Sequence, residues 1–132
     1  MLKKTITYTD YNGVERKEDS YFNLTVTECR EMDLSSEGGM VERINKIIDA
    51  KDVPALYNLF KGIILAAYGE KSADGKSFVK KNGELAQAFT ETPAYDILMN
   101  ELCTDAKAAS EFVNGVIPKA EPAQTEVHPA IK

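Results

Sequence analysis

Histidine, cysteine and long apolar runs are scarce in this sequence, and each shortage removes a class of function. The only histidine is His128, close to the C-terminus. Its isolation argues against the usual Ser–His and Cys–His nucleophile pairs and against a histidine metal cluster. The two cysteines, Cys29 and Cys103, are far apart and share no C-x-x-C pattern. Both fall in helix-like segments and read as small core hydrophobes. No stretch of eighteen apolar residues occurs, so no transmembrane helix is expected. The start, MLKKTITYTD, is polar and alternating, unlike a signal peptide, so a protein that stays in the cytoplasm where it is made is expected. Basic residues are also in deficit: 16 Lys and Arg stand against 21 Asp and Glu, a formal charge of −5. Neutralising phosphates needs the opposite balance, so neither nucleic acid nor membrane is expected as a partner.

What is present belongs to an ordinary globular protein. The 132 residues are 43% hydrophobic and 28% charged, enough for one domain with a real core. Residues 2–9, LKKTITYT, alternate in the manner of a half-buried strand. Asn12-Gly13 signals a hairpin, and a type I′ turn there requires positive φ at both positions. Residues 14–22 form the returning strand. Two strands alone are marginal in water, so the hairpin must lie on helices or on another chain. Thr25 with Glu28 makes a capping box for a short helix, which SSEGG then breaks. Met40, Val41, Ile44, Ile47 and Ile48 share one face of a second helix. Asp52 caps a third, with Pro54 in its first turn and Leu56, Phe60, Ile63, Ile64 and Ala67 along its core face.

The stretch YGEKSADGKSF, Tyr68 to Phe78, superficially resembles a phosphate-binding loop. That loop needs four residues between its glycines and a strand before it, whereas Gly69 and Gly75 enclose five and a helix precedes them. Gly69 is therefore expected to be a helix C-cap, with a turn or short hairpin built on Asp74-Gly75. Lys71, Lys76, Lys80 and Lys81 sit where they complement the helix dipole. Three further helices come next: a short one opened by Asn82-Gly83, one with Thr92 as cap and Pro93 at its first position, and one capped by Thr104 or Asp105. The last is expected to stop at Gly115, and residues 119–132 to be a flexible tail. The fold class is α+β, mainly α: an N-terminal β-hairpin on a bundle of five or six helices, spanning residues 1–118, with residues 25–118 helical.

Most carboxylates, Asp10, Asp19, Asp33, Asp49, Asp74 and Asp105 among them, fall at caps, turns or polar helix faces. Asp74-Gly75 lacks the ladder of a calcium loop. No enzyme, metal or cofactor is expected, and binding is what remains. Tyr57, Tyr68, Phe78 and Phe89 are aromatics on or beside the central helices. Either they are core, or they line a groove for an amphipathic helix of another protein, whose basic stretches would suit the acidic balance.

The order of landmarks carries a resemblance. KKTITYTDYNG, then YFNLTVTE leading to LSSEGG, then YGEKSADGKSF, then AYDILMNELCTDAKAASEFVNGVIP resembles the small tail assembly chaperones of long-tailed, siphovirus-type phages and prophages of Gram-positive bacteria. The likeness runs from about residue 3 to residue 118. It implies a protein of the host cytoplasm, largely absent from the finished virion, that coats the tape measure protein and keeps it soluble until tail tube subunits polymerise around it. It implies recruitment of tube protein through a longer, frameshifted form, self-association, and no nucleotide. No residue of the family carries over as a binding site, so Tyr57, Tyr68, Phe78 and Phe89 rest on their own chemistry. The alternative is a structural tail-completion or connector subunit retained in the particle.

Overall fold

The computed structural model describes residues 1–32 and 40–118. Strands β1 (Leu2–Thr9) and β2 (Glu15–Phe22) come first, then helices α1 (Val26–Met32), α2 (Met40–Ala50) and α3 (Val53–Ala67). Strands β3 (Tyr68–Lys71) and β4 (Phe78–Val79) form a second hairpin. A 3-10 turn at Lys81–Gly83 leads into α4 (Glu84–Phe89), α5 (Pro93–Thr104) and α6 (Ala106–Val116). The fold is α+β, mainly α, as expected. The expected break at SSEGG and the tail from Lys119 lie outside the described residues.

The sheet is larger than the sequence suggests. Four antiparallel strands run in the order β1-β2-β3-β4, with Phe22 opposite Tyr68 joining the two hairpins. Its inner face carries Ile6, Ser20 and Phe22, all buried, while Lys3, Thr5, Thr7 and Thr9 on the outer face of β1 are exposed. Period-two alternation in LKKTITYT produces this division directly.

One hydrophobic cluster draws on both hairpins and on α2, α3, α4, α5 and α6. Phe22 is at its centre, fully buried, with the rings of Phe112, Tyr68 and Phe89 at 5.2, 5.6 and 5.9 Å in edge-on geometry. The α3 face predicted from spacing, Leu56, Phe60, Ile63, Ile64 and Ala67, is buried throughout. Ile44 and Ile48 do the same for α2, and Leu98, Met99 and Leu102 for α5. Cys29 and Cys103 are half-buried and pack against this cluster.

Several local expectations hold and three are corrected. The capping box is present in both directions: Thr25 Oγ1 accepts from Glu28 N–H at 3.1 Å, and Glu28 Oε1 accepts from Thr25 N–H at 2.9 Å. Asp52 accepts from Ala55 N–H, and Asp105, not Thr104, caps α6.

The first turn is not type I′, because of its two central residues only Gly13 has positive φ (82°). Asp10 organises it instead, its Oδ1 accepting from the N–H groups of Asn12 and Val14, both at 2.9 Å. Gly115 does not stop the last helix, which continues to Val116. A Cβ at Gly115 would lie 2.8 Å from Leu2 Cδ1, so glycine there admits the start of β1.

Gly69 is not a helix cap but a strand residue opposite Tyr21. The helix ends at Tyr68, whose backbone is extended (φ −66°, ψ 137°). Its terminal carbonyls find donors elsewhere: Lys80 Nζ reaches Ala66 O at 2.8 Å and Asn23 N–H reaches Ala67 O at 2.9 Å. No left-handed glycine is needed once those acceptors are satisfied. Close approach is what requires glycine at position 69, where a Cβ would sit 2.6 Å from Val79 O and 2.7 Å from the Phe78 ring.

Candidate functional site

The inner face of the sheet extends past the helices that cover it. Where cover ends, a cleft of about 200 Å³ opens between β1, β2, β3 and the α4–α5 turn. Ile6, Tyr68, Leu85, Phe89 and Ala94 give it apolar walls, and Ser20 and Thr92 contribute hydroxyl groups. Tyr68 and Phe89 stack nearly parallel, their ring centroids 4.4 Å apart at 15°. Tyr68 also bonds to the buried Ser20.

Carboxylates edge this apolar surface. In β2, Glu18 shares the inner face with Ser20 because the two are separated by one residue; in β3, Glu70 shares it with Tyr68 for the same reason. Burial, then the charges of Glu70 and Glu18, raises the Tyr68 phenol above its ordinary value. Glu18 accepts from Tyr8 Oη at 2.7 Å and from Arg16 Nη1 at 3.3 Å. The bond to Glu18 is the main reason Tyr8 is also raised. Asp19 borders the cleft too, but its carboxylate accepts the Thr5 hydroxyl at 2.6 Å on the outer face.

A second polar centre lies behind β4. Lys80 Nζ donates to Asn23 O and Ala66 O, both at 2.8 Å, and contacts the two Glu28 oxygens at 3.0 and 2.9 Å. Burial opposes ionisation of Glu28, but the Thr25 N–H and Lys80 outweigh it and hold the carboxyl below its ordinary value. This centre ties the β2–α1 link, α1, the end of α3 and β4 together. Its partners are satisfied within the chain, which marks it as structural.

The four aromatics expected to meet a partner do not form one surface. Tyr68 and Phe89 are brought together, with Phe89 only 5% exposed and Tyr68 half-buried. Phe78 pairs with Lys71 in the β3–β4 hairpin, which places it on the face opposite Tyr68. Tyr57 is 43% exposed on α3, one turn from the exposed Val53 and about 16 Å along the helix from Tyr68. Sequence reasoning misses the acidic edge of the cleft. Its signal is the register that puts Glu18 and Glu70 on the apolar side of their strands, and that register is readable only if YGEK is taken as a strand.

Among the described residues, no group of three His, Cys, Asp or Glu side chains is placed to hold a metal ion. No described helix is long and apolar enough to cross a membrane. The cleft is edged with acid and lined with aromatic and aliphatic groups. A family model described as phage tail assembly chaperone matches residues 1–128. The chain belongs to that family. No match was found among the curated proteins or the solved structures. The chaperone's role is therefore in the assembly of phage tails, in the cell where they are built, with partners among the tail proteins.

Proposed function

We propose that this chaperone binds the tape measure protein of a siphovirus-type phage or prophage of a Gram-positive bacterium and keeps it soluble in the host cytoplasm until the tube forms around it. Membership of the tail assembly chaperone family across residues 1–128 is the observation that carries this reading. A long helical client exposes more apolar surface than water tolerates. Many weak copies of a small binder can cover that surface and still be displaced by tube subunits. The formal charge of −5 suits a client with basic stretches. Recruitment of tube subunits, through a longer frameshifted form, completes the proposal, with self-association of the chaperone along its client. Of the aromatics proposed to meet the client, Tyr57, Tyr68, Phe78 and Phe89, Tyr57 is the most exposed and Phe89 is buried.

A tagged pull-down from phage-producing cells, with purified particles analysed by the same mass spectrometry, tests this. Recovery of a long helical tape measure or a tube protein from lysate, with the chaperone absent from particles, is the expected result. Abundant chaperone in the particles would instead make it a tail-completion or connector subunit. The position of β1 at the edge of the described sheet gives that second reading its physical basis, since an edge strand can accept another subunit's strand.

A further inference from the structure

We infer that the cleft beside the Tyr68–Phe89 stack is a socket for one lysine or arginine side chain, presented from an apolar surface of a partner protein. The inference rests on reading the chain as a binder of other tail proteins, and it names the chemistry by which the cleft recognises them. Three observations converge on it. The space is about 200 Å³, below the range of roughly 300–1,000 Å³ that holds drug-sized ligands and commensurate with a single long side chain. The walls are apolar and aromatic, formed by Ile6, Leu85, Ala94 and the stacked rings of Tyr68 and Phe89. The charge is of one sign: Glu18 and Glu70 border the cleft, and no lysine or arginine lines it.

Charge complementarity selects the occupant. Arg16 bonds to both Asp10 and Glu18, so it offsets part of the local negative charge, but Glu70 has no such partner among the cleft-lining groups. A long basic side chain has an aliphatic stem and a cationic head. The stem would lie along Ile6 and the rings, and the head would reach the two carboxylates and the aromatic faces. An aliphatic side chain fills the same space without meeting the carboxylates. An acidic one brings a further negative charge into a partly enclosed site that already has carboxylates along its edge. The partner surface around the basic residue is apolar because the exposed Ala88 and the half-buried Leu85 flank the opening.

The test uses the intact chaperone, uniformly labelled with nitrogen-15, and three synthetic amphipathic peptides. All share an alanine- and leucine-rich helical sequence; a single central residue on the apolar face is arginine, glutamine or glutamate. Amide shifts at Ser20, Tyr68, Glu70 and Ala88 should saturate with the arginine peptide. Affinity should fall about tenfold with glutamine, about 1.4 kcal/mol of discrimination, and saturation should disappear with glutamate. Added salt should weaken the arginine peptide alone. Glu70→Gln should reduce that preference, and Ala88→Met, which obstructs the opening from an exposed position, should abolish binding while leaving the remaining spectrum intact. Equal binding of all three peptides, shifts centred elsewhere, or no shifts at millimolar peptide would overturn the inference. So would equal binding of free arginine amide, which would show a small-cation site and not a protein-docking one. A pull-down that recovers tail proteins equally well with Glu70→Gln and Ala88→Met would sink the socket while leaving the chaperone's client intact.

Discussion

Replacing Lys80 by methionine should remove the polar centre behind β4 and cost about 3 kcal/mol of stability. The ammonium bonds to two backbone carbonyls at 2.8 Å, and its side chain is only 17% exposed. Bonds to a charged donor contribute about 1.5 kcal/mol or more each, and methionine keeps the aliphatic packing while removing both. The ion pair with Glu28 adds less, about 0.5 kcal/mol, because that carboxylate's side chain is 35% exposed and water screens it. Near 100 residues, each kcal/mol shifts the midpoint by about 4 °C, so thermal unfolding should fall by roughly 12 °C. Urea titrations of wild type, Lys80→Met, Glu28→Gln and the double variant separate the parts. The coupling between the two sites should be about 0.5 kcal/mol, with most of the Lys80 effect persisting when Glu28 is already neutral. A loss below about 1 kcal/mol in Lys80→Met, or a loss that vanishes in the Glu28→Gln background, would refute the view that Lys80 substitutes for a helix cap.

Two glycine substitutions should act in opposite directions. Gly62→Ala lies in the middle of α3 with nothing within 4 Å of the new methyl group, so urea unfolding should show a gain of about 0.5–1 kcal/mol. Gly69→Ala forces a methyl group against the Val79 carbonyl and should destabilise by about 2 kcal/mol, with the largest shift changes in β3 and β4. Acid should erode the Glu28 contribution. Its folded carboxyl is held below the ordinary 4.5, so its stabilisation is complete above that pH and is lost as pH falls through the lowered value. The stability difference between wild type and Glu28→Gln should therefore be constant near neutrality and close in acid, as measured by denaturation at stepped pH.

The helices are legible in the sequence because their signals are local. The Thr25–Glu28 box, the Asp52 cap and the α3 core face each depend on residues within a few positions of one another. What escapes is set by contacts distant in sequence. Gly69 comes directly after a helix and reads locally as its cap, yet its identity is dictated by Val79 and Phe78 closing over it. The C-terminal carbonyls of α3 are satisfied by Lys80 and Asn23, which no local pattern reveals. The cleft is invisible for the same reason, since YGEK pairs with β2 across three intervening helices. Tyr68 and Phe89 stand out in the sequence as aromatics, but their stacking depends on where α4 returns to the sheet.

The contact between Leu2 and Gly115 has a consequence for synthesis. A chain emerging from the ribosome makes β1 first, and the groups that cover it arrive last: Glu101 bonds to Lys4, Gly115 admits Leu2, and Val116 O accepts from Leu24 N–H. Until α6 has been released, Phe22 lacks the Phe112 ring and Leu24 lacks its Val116 acceptor, and the hairpin can only wait. Termination a few residues before Ile117 would leave the barrier to closure unrewarded and the nascent chain sticky. A change in the message after that codon would leave each of these contacts unaltered.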